Sequence, residues 1–190
     1  MSKPIAIQIQ TPRLLLSPPR KAFAPAITHF FQTQKEFLAP WSPTMRPEFF
    51  SLDFQAQKIR TEQALLRQKK ALRFWIFARH DSQQQQVLGQ LHFSNIVWGG
   101  FCSCYLGYSM AQEYNGQGLM SEALEAAIAF VFNHWHLHRI EANIMPRNLA
   151  SVAVAKKCGF YFEGHAPNYL KINGQWEDHD HYVRRNLNLE

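Results

Sequence analysis

Cysteine is scarce in this chain. Three thiols, Cys102, Cys104 and Cys158, give an odd count with no C-x-x-C spacing, which excludes a self-contained disulfide framework and a four-ligand zinc site built on such pairs. Long apolar runs are missing as well. No stretch of about 18 hydrophobic residues occurs, and the opening MSKPIAIQIQTPRLLL holds no apolar block of about 7–15 residues behind a basic start. A soluble cytoplasmic protein without a membrane partner is expected. Acidic residues are few, 14 against 20 lysines and arginines, for a net charge of +6 and a pI of about 9.4. That balance favours polyanions, either a phosphorylated cofactor or a partner resting on RNA. The basic residues are scattered apart from 67–73 and 184–185, so no platform for direct, specific nucleic-acid binding is expected. Internal repeats are absent.

What is present suits a packed core. Hydrophobic residues make up 46% and aromatics 14% of 190 residues, enough for one domain over 1–190 that buries roughly two-thirds of its unfolded surface. Residues 11–16 (TPRLLL) read as a first strand, 22–34 as a helix, and the proline-rich 37–47 around Trp41 as a loop. A second helix is predicted over 53–70 with Asp53 as its cap. Strands are predicted at 72–79, 87–97 and 102–110, with the tract HDSQQQQ as an exposed loop and Gly99-Gly100 as a hairpin turn between the last two. A long helix follows, with Met120, Leu124, Ala127, Ile128, Val131 and Trp135 on one stripe. Then come a strand at 139–145, a helix at 149–158 ended by Gly159, and strands at 160–163, 168–172 and 176–183, the last two joined by Asn173-Gly174. The order β-α-α-β-β-β-α-β-α-β-β describes a mixed α/β layer.

The segment 105–125 (YLGYSMAQEYNGQGLMSEALE) carries the chemistry. A strand feeds a turn with glycines at 116 and 118, and a helix opens near Leu119, so unpaired backbone N–H groups and the positive helix end converge where an anion can sit. The candidate anion-binding residues are Asn115, Gly116, Gln117, Gly118, Leu119 and Met120; a purely structural turn uses the same residues. No lysine follows the second glycine and Ser121 stands where a third would be, which excludes a phosphate loop of the GxxxxGK[ST] type and a complete GxGxxG. A second constellation is Asn148-x-x-Ser151 before Lys156-Lys157-Cys158-Gly159-Phe160. The Asn148 amide can both donate and accept, as a pantetheine chain requires, and Ser151 lies one helical turn on. A helix cap and a packing serine remain the plainer readings.

Together these segments resemble the GNAT acetyltransferases. The glycine loop matches that family's acetyl-coenzyme A loop and NLASVAVAKKCGF its N-x-x-S…K-x-G-F element. The blocks TPRLLL, FLAPWSP, FSNIVWGGFCSCYLGYSM, GQGLMSEAL, RIEANIMPRN and NYLKINGQWEDH resemble the Rim-type ribosomal-protein-alanine N-acetyltransferases, from about Thr11 to His181. The resemblance implies a GNAT fold: a mixed, mostly antiparallel sheet with helices on both faces and a splayed central strand pair. It implies acetyl-CoA as co-substrate, held by Tyr108, Ser109 and Met110 on the splayed strand, by 115–120 at the pyrophosphate, and by Asn148 and Ser151. It further implies that the backbone N–H near Met110 polarises the thioester carbonyl, worth about 3–4 kcal/mol when aligned, and that Ser151 serves the departing thiolate. Trp41 and Tyr169 are candidate walls of the acceptor pocket.

Two departures from the family pattern stand out. Ala155 occupies the place of the family's acid tyrosine, which leaves Ser151 in that role. Asn168 stands where relatives carry an acidic residue before the tyrosine matching Tyr169, so the general base is open among Glu141, Glu163, Asp178 and His92. An α-amine with pKa about 8 is roughly 10% neutral at pH 7, against roughly 0.04% for lysine, a gap of about 3 kcal/mol in available nucleophile. A site without an obvious base therefore suits an N-terminal amine, expected to be that of a ribosomal protein beginning with alanine. The alternatives are a small amine such as a polyamine or aminoglycoside, and a non-catalytic module that binds ribosome or RNA. The histidines of HWHLHR point in different directions, and His179 with His181 supply only two ligands, so no metal is expected. The molecule is expected to be a monomer or homodimer.

Overall fold

The computed structural model describes residues 7–190; the first six residues of the opening read for a leader lie outside it. In chain order the regular elements are β1 (Ile9–Gln10), β2 (Leu14–Ser17), α1 (Ala24–Thr33), α2 (Lys35–Leu38), α3 (Leu52–Arg67), β3 (Leu72–Ala78), β4 (Gly89–Val97), β5 (Ser103–Met110), α4 (Leu119–Trp135), β6 (Arg139–Ile144), α5 (Leu149–Lys157), β7 (Tyr161–Ile172) and β8 (Gln175–Arg185). Among the described residues eight strands form one sheet in the order β1-β2-β3-β4-β5-β6-β8-β7. Every neighbouring pair is antiparallel except β5 and β6, which are parallel. This is the mostly antiparallel α/β sheet that the resemblance implied.

Each face of the sheet carries its own core. The α4 stripe of Met120, Leu124, Ala127, Ile128, Val131 and Trp135 is buried, and it packs with Phe74, Ile76, Leu91, Phe93, Leu106 and Met110 from the strands. On the opposite face α1 and α3 lay Ile27, Phe30, Phe31 and Ile59 over Trp75 and Phe77. Strand residues alternate between faces, so β5 sends Leu106, Tyr108 and Met110 toward α4 and α5 while Gly107 and Ser109 face the other way.

Several local expectations are corrected. The residue that caps α3 is Ser51, whose hydroxyl accepts the Phe54 N–H at 3.2 Å; Asp53 lies inside the first turn. The loop at 37–47 begins as helix, α2 running through Leu38 and a 3-10 turn covering Ala39–Trp41, because proline is tolerated at the start of a helical turn. The strand predicted at 11–16 begins only at Leu14, as β2, and a short edge strand, β1, precedes the predicted range. The glutamine tract is only partly exposed: Gln84 is buried with its amide on the Ser17 hydroxyl. The strands predicted at 160–163 and 168–172 are one strand, β7, whose register shifts between Ala166 and Leu170. Asn168 sits in that irregularity at φ +49°, a left-handed conformation that asparagine tolerates better than most residues.

Candidate active site

The parallel pair at the centre of the sheet comes apart. β5 and β6 pair only at Ser103–Arg139, Cys104–Ile140 and Tyr105–Glu141, although β5 continues to Met110 and β6 to Ile144. Beyond that point each strand keeps its outer partner, β4 and β8 respectively, and their facing edges are left unpaired. The Ala111 N–H donates to the Leu88 carbonyl at 2.8 Å; by the alternation of an antiparallel ladder, the Met110 N–H then turns away from β4 and into the opening. A cleft of about 400 Å³ passes through this gap, lined on the α5 side by Leu106, Tyr108, Asn148 and Ser151 and on the other by Gly107, Ser109, His92, Asn143 and His179.

The glycine loop stands at the end of β5. Gly116 and Gly118 have φ of +74° and +73°, in the left-handed region that a side chain enters only with strain. Gly118 is the residue before α4, and no side chain caps that helix start, so the first N–H groups of α4 are available to an anion. Asn115 braces the turn, its amide donating to the Ala111 and Gln112 carbonyls at 3.1 and 3.3 Å, and Gln117 donates to the Glu113 carbonyl at 2.9 Å. Leu119 and Met120 are buried and anchor the helix. Two cations that the motif alone did not single out flank the loop. A Cβ placed on Gly118 would lie 3.7 Å from Arg13 Nη2 and 3.8 Å from Lys157 Nζ, and Arg13 also donates to the Gln117 carbonyl at 3.0 Å. Arg13 is itself fixed by Glu122, which accepts its Nε at 2.6 Å and the Thr11 hydroxyl at 2.6 Å. The backbone donors, the helix end and these cations fit a pyrophosphate.

Asn148 caps α5, its Oδ1 accepting the Ser151 N–H at 3.1 Å. The cap fixes where α5 begins and so where Ser151 points. The Ser151 hydroxyl donates to Tyr108 OH at 2.8 Å, and Tyr108 OH donates to the Ser151 carbonyl at 2.9 Å. A phenol therefore reaches the first turn of α5 from β5, although Ala155 leaves none on the helix. Burial pushes the Tyr108 phenol well above its ordinary pKa. Trp41 lies on the cleft wall under the Arg147 guanidinium, 4.9 Å from its ring centroid. Tyr169 does not line the cleft. It stands behind it, its OH accepting from Asn143 Nδ2 at 3.2 Å and its ring packing on His179 and His181.

The four candidates for the base fall in different places. Glu163 is exposed and ion-paired with Arg139, which holds its carboxyl below the usual range. Asp178 accepts the Asn168 N–H at 2.8 Å and fixes the β7 irregularity. Glu141 is buried with both oxygens engaged, one by His181 and one by Arg139, each at 2.8 Å. His92 lies against Gly107 in the cleft; burial, Arg73 and Lys58 push its pKa down to about 3. Among the described residues no group of three or more His, Cys, Asp or Glu is placed to hold a metal.

This geometry agrees with what the chain is similar to. The profile of the Acetyltransferase (GNAT) domain matches residues 13–161. The chain is 36% identical over 174 residues to the [ribosomal protein uS5]-alanine N-acetyltransferase of Escherichia coli, covering 91% of this chain and 88% of that protein. It is 34% identical over 145 residues to the probable N-acetyltransferase YjcK of Bacillus subtilis, covering 76% and 78%. Ribosomal-protein-S5-alanine acetyltransferase from Vibrio fischeri superposes with a TM-score of 0.91 at 30% identity, over 97% of this chain and 99% of that one. Mycobacterium smegmatis RimJ, in complex with CoA-disulfide, gives 0.88 at 27% identity over 100% and 92%. The chain belongs to the GNAT acetyltransferases and is an N-acetyltransferase of the ribosomal-protein type, with acetyl-CoA as its co-substrate.

Proposed function

We propose that the enzyme acetylates the N-terminal α-amine of a ribosomal protein that begins with alanine. One observation carries the choice of acceptor: no carboxylate lines the cleft among the described residues, whereas Lys58 and Arg73 do. A polyamine or aminoglycoside brings several positive charges and needs acidic groups to receive them. An N-terminal amine brings one, on a chain that can leave through the open mouth. The similarity to uS5-alanine enzymes supports alanine as the first residue.

In this reading the first N–H groups of α4, the 115–120 loop, Arg13 and Lys157 hold the pyrophosphate. Tyr108, Ser109, Met110 and Asn148 flank the pantetheine, and the Met110 N–H receives the negative charge that develops on the thioester oxygen. Ser151 donates its proton to the departing thiolate, with Trp41 on the acceptor's path and Tyr169 behind it. The span of the family profile and the single sheet support reading 1–190 as one catalytic domain, and a ribosomal substrate puts the reaction in the cytoplasm. The deciding experiment is mass spectrometry of ribosomal-protein N-termini from cells lacking this enzyme. One alanine-starting protein is expected to be about 42 Da lighter, the difference between an acetyl group and the hydrogen it replaces on the α-amine; a full set of unchanged N-termini, with polyamines losing acetylation instead, would reject the proposal.

A further inference from the structure

The site has a leaving-group side, Ser151 with Tyr108, but no side chain yet placed to take the amine's proton. We propose that His179 is the proton acceptor of the reaction, a catalytic residue acting on the amine from the face of the gap opposite Ser151.

His179 is 3% exposed and lines the cleft. Its Nδ1 lies 3.0 Å from the Glu177 carbonyl oxygen. A carbonyl only accepts, so the proton of the neutral ring sits on Nδ1 and Nε2 is left with a lone pair. Nε2 has no hydrogen-bond partner among the described residues, and it is not among the side-chain atoms sealed from solvent without one. The Tyr169 ring, 5.4 Å away, packs on the imidazole, and the Asn143–Tyr169 hydrogen bond ties that ring to β6. Strand pairing puts His179 on the same face as Asn143, whose partner across the ladder is His181. The Asn143 Oδ1 is itself a buried acceptor without a donor, so this wall of the cleft offers two acceptors to a group rich in N–H. The candidates of like chemistry are spent: Glu141 is doubly engaged, Glu163 and Asp178 hold surface contacts, and His92 is kept neutral and weakly basic by burial and by Arg73 and Lys58.

The step balances without a further reactant. The amine nitrogen bonds to the thioester carbon while its proton passes to His179 Nε2. The C–S bond then breaks, and the sulfur keeps the electron pair and takes the Ser151 hydroxyl proton. The imidazolium returns its proton through solvent to the serine.

The inference rests on acetyl transfer to an amine, and its test keeps the acceptor separate. The full-length enzyme, H179Q and H179A are each assayed with acetyl-CoA and either an alanine-starting peptide or spermidine, and the comparison is read on whichever amine the wild type turns over. A wrong acceptor shows as wild-type turnover on spermidine alone. H179Q is expected to lose about 10²-fold or more in kcat with the KM for acetyl-CoA unchanged. Added imidazole is expected to restore part of the H179A rate, which a packing role would not allow. Wild-type kcat in H179Q overturns the proposal, as does a loss in H179A that imidazole leaves untouched.

Discussion

At the scale of single residues, the site turns on hydrogen bonds that sequence spacing could suggest only in part. Asn148 and Ser151 were legible as a pair because an asparagine followed three positions later by a helix residue is a cap pattern. The contact of Ser151 with Tyr108 joins residues 43 positions apart, and nothing local encodes it. In the resting arrangement the Ser151 hydroxyl donates to a phenol oxygen, so the proposed proton transfer to a thiolate requires the hydroxyl to rotate. Replacing Ser151 with alanine is expected to lower kcat by about 10²-fold while acetyl-CoA affinity in calorimetry stays at the wild-type value, because the cap uses the Ser151 backbone N–H, which alanine keeps. An equal fall in affinity would make Ser151 a binding residue. His179 was legible only as one of two histidines sharing a strand face; its tautomer is set by a carbonyl that only the folded chain places beside it.

Among the elements, the strand-loop-helix unit β5–α4 was readable almost whole. The apolar alternation, two glycines and the stripe of the long helix are local patterns; α4 runs to Trp135, and His136 follows it in a left-handed conformation. The α3 cap shows the limit of such reading. Ser51 and Asp53 are both good caps, but it is Ser51 that has the extended backbone of a cap, φ −93° and ψ 152°, while Asp53 is already inside the helix. For the glycine loop, Gly118→Val places a β-branched side chain at φ +73°, where it is strained. The loop is expected to shift and acetyl-CoA binding to fall below detection in calorimetry, with the unfolding temperature changing far less. Unaltered affinity would remove the loop from the binding site.

For the whole molecule, the first turn of α4 behind the glycine loop is tied to the β1–β2 turn by one carboxylate. Glu122 on α4 accepts from Thr11 and Arg13, more than 100 positions away in sequence. Burial pushes its carboxyl up, but the Thr11 hydroxyl and the Arg13 N–H groups and charge outweigh this and leave it below the usual value of 4.5. A depressed folded pKa stabilises the fold above the unfolded value and is lost as pH falls through the folded one. Melting temperature is therefore expected to drop as pH falls below 4.5, and Glu122→Gln is expected to flatten that acid limb. An identical limb in the variant would mean that other carboxylates govern acid unfolding.

The sequence by itself determined most of the elements, the stripe that packs α4 on the sheet, the glycine loop and the family. Those depend on period, turn chemistry and capping, which act over a few residues. Only the tertiary structure decided that β5 and β6 part after three pairs, that Tyr108 meets Ser151, that Arg13 and Lys157 flank the glycines, and that the cleft wall carries His179 and no carboxylate. Each of these is a contact between segments distant along the chain, fixed by which strands share an edge and which faces must be buried rather than by any local pattern.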